Sequence, residues 1–337
     1  MEFNCENVFE SFMTMYPLLF EPKLLEKVWG GHSIHQWKFG TQTEQPIGES
    51  WEIFSENVIR NGAHAGMTLQ SLIESNPEAM IGKHEPEEFP LLVKILDAKE
   101  WLSVQVHPDD TLAMELEGES RGKTECWYIL QADEGACIQY DLKNNCTVED
   151  YSDAITEGQP KRCLEFLPVK AGDIIYVPAG TVHAIGPGIM LYELQQTSDT
   201  TYRLYDWDRV GLDGKFRDLH IEKGLRCSKP GSGIFPYPIH DALILDGNRV
   251  LPLIREKYFA LDEVTLGNKP YSLTMNGKPV LLTNIGKYEI HVRYGDMSIT
   301  VPIASSVFLP AALEQVFIGS EVQDQSVQVL IAAQHDI

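Results

Sequence analysis

Basic side chains are scarce in this sequence. Lys and Arg number 27 against 49 Asp and Glu, a formal charge of −22, and the pI is near 4.8. So acidic a chain is a poor fit to nucleic acid or an anionic membrane surface as its main partner. An anionic small molecule would need a local cationic cluster to offset the global field. The amino-terminal stretch also lacks positive charge. Its first base is Lys23, and Glu2, Glu6 and Glu10 stand where a targeting signal would need cations, so a cytoplasmic location is expected. Long apolar runs are missing too: the charge-free stretch from Met297 to Leu313 is broken by Pro302 and Pro310, too short and polar to span a bilayer. The six cysteines (Cys5, Cys126, Cys137, Cys146, Cys163, Cys227) include no C-x-x-C pair. In a chain this long without a secretory signal they are expected to be free thiols.

What is present suffices for a packed core. Hydrophobic residues make up 43% of 337 residues, which excludes wholesale disorder and suggests two domains. The charge is uneven: Met1–Pro230 holds 38 acids against 20 bases, and Gly231 onward 11 against 7. We therefore expect an extension over residues 1–15, one domain over 16–230 and another over 235–337. Helical signals are few. Thr68 before Leu69, Leu72 and Ile73, Asp109-Asp110 before Leu112–Leu116, and Thr147 before Val148–Tyr151 predict short capped helices. Trp29-Gly30-Gly31 predicts an early turn. Elsewhere short apolar or alternating runs dominate, such as Leu91–Leu96, Leu102–Val106, Cys126–Leu130, Ile174–Val177 and Met190–Leu194. The pattern Tyr288–Arg293, Gly295-Asp296, Met297–Val301 predicts a hairpin. Many short strands between Gly, Pro and Asn turns point to a mainly β fold of barrels or sandwiches. A faint repeat lays Val169–His183 over Val301–Gln315, with His183 replaced by Gln315.

The sharpest local signal is Gly172-x5-Pro178-x-Gly180-x2-His183. It reads as a turn, a strand, a ladder-ending proline, a glycine turn and a histidine aimed into a barrel mouth. This spacing is the second sequence motif of cupin barrels. The first such motif normally carries two histidines one residue apart and then a carboxylate. Here Gln105 and His107 share a strand face by their period of two, and Glu125 follows after a helical insert, Pro108–Gly122. Two imidazoles and a carboxylate suit a divalent first-row metal, and an amide oxygen can add a weaker bond.

With these departures the chain resembles the type I mannose-6-phosphate isomerases, in their short two-barrel form. The resemblance runs from Tyr16 to the end. It is carried by Val28–Gly31, Gly48–Glu52, Leu91–Lys94, Leu102–Asp110, Gly122–Glu125, Pro178–Ala184 and Gln195–Arg203. It implies two cupin-type (double-stranded β-helix, jelly-roll) barrels with a few short helices, the second metal-free. It implies one zinc ion per chain and interconversion of mannose 6-phosphate and fructose 6-phosphate through a cis-enediol(ate). The implied ligands are His107, Glu125 and His183, with Gln105 a fourth, and the implied catalytic arginine is Arg203.

Such a reaction moves a proton between neighbouring carbons and needs positive charge on the developing oxyanion. Arg203 can supply charge but is a poor proton acceptor. The base is open among a zinc-bound water, Lys123 and a carboxylate such as Glu49. Lys94, Lys123 and Arg203 are expected around one barrel mouth to meet the phosphate. Ser103 shares the Gln105 face and can add a hydroxyl. Trp29 and Trp51 read as packing residues, and Glu85–Glu88 as a solvated loop. Metal identity is only implied, since iron, cobalt and manganese accept the same donors. Rival readings are an Fe(II) cupin dioxygenase and a non-catalytic sugar-binding cupin. Monomer and homodimer both stay open.

Overall fold

The computed structural model describes residues 15–83, 89–322 and 327–335. The expected 1–15 extension, save Met15, and the Glu85–Glu88 run lie outside them. The protein is mainly β, and its described residues form four sheets. A six-stranded sheet holds, in order, Lys23–Gly31, Ile47–Ile53, Leu91–Ala98, Ile189–Gln196, Glu125–Ala132 and Ile174–Val177. It faces a five-stranded sheet of Tyr202–Tyr205, Val104–Val106, His183–Ile185, Cys137–Leu142 and Leu164–Pro168. Together they form the N-terminal barrel. The C-terminal barrel pairs a seven-stranded sheet with the four-stranded sheet of Tyr271–Thr274, Gln315–Gly319, Ile290–Tyr294 and Met297–Val301. The expected hairpin is there, with Tyr294 opposite Met297.

Alternation along the strands sorts the side chains. In the six-stranded sheet, Leu96, Trp127, Ile129, Ile175, Val177 and Leu191 point into the N-terminal barrel and meet Ile138, Tyr140 and Ile185 from the opposing sheet. Their neighbours Leu91, Val93, Ile95, Tyr128, Tyr176, Tyr192 and Leu194 point the other way. These join one apolar cluster with Leu253, Leu282, Phe308 and Leu330 of the C-terminal barrel. Both faces of this sheet are thus covered, and Leu91–Ala98 and Ile189–Gln196 are buried at every residue. That is why they read as apolar runs rather than alternating ones. The outer face of the five-stranded sheet (Val104, Val106, Ala184, Tyr202, Leu204) is covered by Leu112, Leu116, Tyr151, Ala154, Ile221 and Leu225 from three helices.

Two of those helices, and one other, match their sequence signals. Thr68, Asp109 and Thr147 accept from the backbone N–H groups of Ser71, Leu112 and Asp150, capping Leu69–Ser75, Asp110–Glu117 and Val148–Thr156. Trp29-Gly30-Gly31 differs from expectation: it ends the Lys23–Gly31 strand instead of turning. The turn comes after it and leads into an unforeseen helix, Ser33–Phe39. The repeat recurs at strand level. Ile174–Val177 and Ser306–Leu309 share one offset, as do the strand starts His183 and Gln315. Leu18–Leu19 pairs with Ser306–Leu309 and so joins the seven-stranded sheet. The five described cysteines are free, and no helix of the described residues is long and apolar enough to cross a membrane.

Candidate active site

The inner faces of the two N-terminal sheets are apolar at one end and polar at the other. In the five-stranded sheet, Val104 and Val106 face the helices, so Gln105, on the opposite phase, faces the barrel. Gln105 pairs with His183 on one side and with Arg203 on the other. Directly opposed residues in an antiparallel ladder share a face, so Arg203, Gln105 and His183 form one row. His107 follows two residues after Gln105, and Ser103 lies two before it, buried. The motif glycines Gly172 and Gly180 have φ of +88° and +99°, which side chains with a Cβ rarely adopt. Gly180 also donates its N–H to the His107 carbonyl at 3.0 Å, tying the loop before His183 to the strand that carries His107.

The six-stranded sheet supplies the facing row. Trp51, Lys94, Glu193 and Trp127 stand side by side in register. One step along, Glu125 pairs with Gln195. His107, Glu125 and His183 are almost fully buried, and their ligand atoms lie within 4.8 Å of one another. The His107 Nε2 is 3.6 Å and the His183 Nε2 3.3 Å from the Glu125 carboxylate. Both Nδ1 atoms are engaged with backbone carbonyls, His107 with Thr200 at 3.0 Å and His183 with Thr181 at 2.9 Å. A carbonyl can only accept, so each Nδ1 carries the proton and each Nε2 presents a lone pair to the centre. The His107 Nε2 is buried without a hydrogen-bond partner, and Glu125 Oε2 has the Lys123 ammonium beside it at 3.2 Å. Burial pushes both imidazoles below their usual value, with help from Lys123; His183 falls to about 4 and His107 falls well below 6.5. Two neutral imidazoles and a carboxylate, with their lone pairs converging, fit a divalent metal. The Gln105 amide, 3.5 Å from His183 Nε2, can turn its oxygen toward the same point.

Charged groups surround this centre. Lys123 Nζ is 3.2 Å from Glu125. Burial opposes its charge, but Glu125, Glu193 and Asp199 outweigh burial and hold it protonated. Lys94 Nζ is 3.6 Å from Glu193, 3.9 Å from Asp199 and 4.7 Å from the Trp51 ring centre. Glu49 pairs with Lys27 at 2.9 Å and accepts from the Trp51 indole at 2.7 Å. Burial raises its pKa, yet Lys94 and Lys27 bring it below the usual range. Arg203 is half-buried and donates to the Asp218 carbonyl at 2.8 Å. Its backbone is clamped by His220, whose Nδ1 accepts from the Arg203 N–H at 3.1 Å and whose N–H donates to the Arg203 carbonyl at 2.7 Å. Trp29 is buried in the barrel core, as its packing role required.

Glu193 and Trp127 escaped the sequence reading. Trp127 Nε1 lies 3.1 Å from Glu125 Oε1 and 3.2 Å from Glu193 Oε2, so one indole N–H bridges two buried carboxylates. Burial and Glu125 push Glu193 above the usual carboxyl range, against Lys123 and Lys94. The available signal was Glu193-x-Gln195 inside an otherwise apolar strand, in phase with the barrel-facing Leu191.

With this geometry in hand, comparison with known proteins is decisive. Residues 18–138 match the family model for the phosphomannose isomerase type I catalytic domain. A mannose-6-phosphate isomerase of Streptococcus mutans is 46% identical over 73% of this chain and 77% of its own. The chain belongs to the type I phosphomannose isomerases. Their fold extends along its length: the Bacillus subtilis mannose 6-phosphate isomerase structure superposes with a TM-score of 0.85 at 29% identity, covering 94% of this chain and 99% of the other. A zinc-bound holo form of mannose 6-phosphate isomerase superposes at 0.73 over 95% and 99%, at 15% identity. Within the family fold the His107, Glu125 and His183 cluster falls at the polar end of the N-terminal barrel, between its two sheets.

Proposed function

We propose that the chain is a zinc-dependent aldose–ketose isomerase that interconverts mannose 6-phosphate and fructose 6-phosphate. The observation that carries this is the buried His107, Glu125 and His183 cluster, with Lys123 beside Glu125 and Lys94 beside Glu193, in a chain 46% identical to a mannose-6-phosphate isomerase. Cations beside a donor set suit an anionic sugar; dioxygen chemistry has no use for them. His107, Glu125 and His183 would hold one zinc ion, with Gln105 available as a fourth donor. Bound there, zinc supplies Lewis-acid polarisation of the substrate oxygens.

The chain's own residues do the rest. The proton leaves C2 of the open-chain aldose, giving a cis-enediolate, and is returned to C1, while the O2 hydroxyl proton passes to O1 and leaves the carbonyl at C2. Lys123, held as an ammonium, and Arg203, permanently charged, stabilise the oxyanion as it forms. Of the buried carboxylates, Glu49 is held below its usual range, whereas burial and Glu125 raise Glu193 above its own. Glu193 is the better-matched proton carrier, and Glu49 orients substrate beside Trp51. The phosphate binds Lys94 and Ser103, displacing the exposed Asp199 from Lys94. Catalysis belongs to residues 16–230, while 235–337 forms a second barrel without a metal. The acidic surface disfavours nucleic acid. The chain works in the cytoplasm as a monomer or homodimer, with a small sugar phosphate as its partner.

The test is turnover of mannose 6-phosphate by purified protein before and after chelation, then with zinc restored. Loss and recovery of fructose 6-phosphate formation is expected. A folded, zinc-loaded protein that makes none would overturn the proposal.

A further inference from the structure

The segment that delivers Lys123 and Glu125 to the site is not a strand. It follows the helix Asp110–Glu117 and enters the strand Glu125–Ala132. Its backbone is fixed at successive residues. Gly122 donates its N–H to Asp110 Oδ1 at 2.9 Å, and Lys123 donates to the Pro108 carbonyl at 3.0 Å. Thr124 donates to Gln196 Oε1 at 2.9 Å, and its carbonyl accepts from the Gln196 N–H at 3.1 Å. A Cβ on Gly122 would lie 2.5 Å from the Pro108 oxygen and 2.6 Å from the Asp110 nitrogen, so the approach is as close as a backbone allows.

Asp110 is the common anchor. Besides Gly122, its Oδ1 accepts from Gln196 Nε2 at 3.0 Å, the same amide whose oxygen holds Thr124. Its Oδ2 accepts from the hydroxyl of Tyr258 at 2.7 Å. Tyr258 comes from the C-terminal barrel, and its hydroxyl accepts in turn from Lys257 Nζ at 3.0 Å. Burial raises the Asp110 carboxyl, but Gly122, Tyr258 and Gln196 together bring it below the usual range, so it stays ionised and accepts from all three. Asp110 lies three residues after His107. One carboxylate therefore joins the turn after one metal-site histidine to the segment before Glu125, and its outermost bond comes from the other barrel.

We propose that Tyr258 is a positioning residue of the active site, setting the placement of Lys123 and Glu125 through Asp110. It touches neither metal nor substrate. The C-terminal barrel thereby acts on the chemistry as well as covering the sheet. This rests on the isomerase reading above, and the test separates the two.

The experiment compares full-length wild type, Tyr258→Phe, Asp110→Asn and the double variant, each with zinc and with cobalt(II) in its place. Tyr258→Phe is expected to lower kcat about tenfold, leave KM within about twofold and alter the cobalt electronic spectrum, with little change in the urea midpoint. In the Asp110→Asn background the Tyr258 change should have no further effect, because the path through Asp110 is already cut. Equal losses from Tyr258→Phe in both backgrounds, or wild-type kcat and an unchanged cobalt spectrum in Tyr258→Phe, would overturn the proposal. Should Asp110→Asn fail to fold, the single variant's kcat and spectrum still decide. Should wild type lack isomerase activity, the function reading fails, and the cobalt spectrum alone judges the positioning role.

Discussion

Acid should destabilise the metal-free protein through His183, and the size of the effect follows from its surroundings. In the unfolded chain this imidazole takes up a proton near pH 6.5. In the fold, burial and the Lys123 ammonium delay protonation to about 4. Between these values the unfolded state holds a proton that the folded state refuses. Stability is therefore complete above about pH 6.5 and declines as the pH falls toward 4. At about pH 5 the accumulated loss is about 2 kcal/mol for this one group. His107, depressed in the same direction, adds its own share. The assay is urea denaturation of chelator-treated protein at about pH 7.5 and about pH 5, for wild type and His183→Gln. The substitution has some cost at both pH values, since the Thr181 carbonyl changes partner. What counts is the difference in slope: the wild type should lose about 2 kcal/mol more than the variant on acidification. Parallel losses would show that the folded state accepts the proton on His183 readily, and the picture of a neutral, preformed ligand pair would be wrong.

Three further outcomes are expected. Lys123→Met should retain zinc, measured by elemental analysis, because Lys123 is no ligand, yet lose about a hundredfold or more in kcat for want of an oxyanion donor; near-normal turnover would remove Lys123 from the chemistry. Lys94→Gln should raise KM for mannose 6-phosphate by about tenfold while sparing any turnover of unphosphorylated mannose, and equal effects on both sugars would take the phosphate away from Lys94. Tyr128→Phe deletes a buried hydroxyl bonded at 2.6 Å to Glu263 of the other barrel. It should cost about 1.5–3 kcal/mol in urea unfolding with kcat unchanged, and wild-type stability would show that this bond contributes nothing net.

The parts legible in the sequence are those whose causes are local. Ile174–Val177 sits between a turn glycine and a ladder-ending proline, and its bounds fall where the residues put them. The helices capped by Thr68, Asp109 and Thr147 carry their own start signals. The Ser33–Phe39 helix does not. Its His32 cap makes no side-chain bond, and the Ser33 N–H is received at 2.6 Å by Asp97, far along the chain. Ile221–Cys227 has no capping side chain either and carries Gly224 in its middle, where a Cβ would lie 2.6 Å from Leu204. In the site, His183 stood out by the spacing of its motif, and Gln105, His107 and Glu125 through the family resemblance. Glu193 did not, because in a strand buried on both faces only the polar pair Glu193-x-Gln195, and no alternation, marks the inward positions.

The internal repeat shows what a site requires beyond matching strands. Gln315 opens the C-terminal strand equivalent to the one that His183 opens, yet the two side chains face opposite ways. His183 is fully buried against Glu125, with Ala184 turned to the helices. Gln315 is exposed and donates to Ser272 at 2.7 Å, while Val316 takes the inward place. A shift of one residue in phase exchanges the two faces of a strand. Restoring a histidine at 315 would thus put an imidazole in solvent. The N-terminal barrel also owns the Pro108–Gly122 insert, whose Asp110 binds the backbone before Glu125 and receives Tyr258 from the other barrel. The motif supplies the histidine. Strand phase aims it, and the insert brings the carboxylate to meet it.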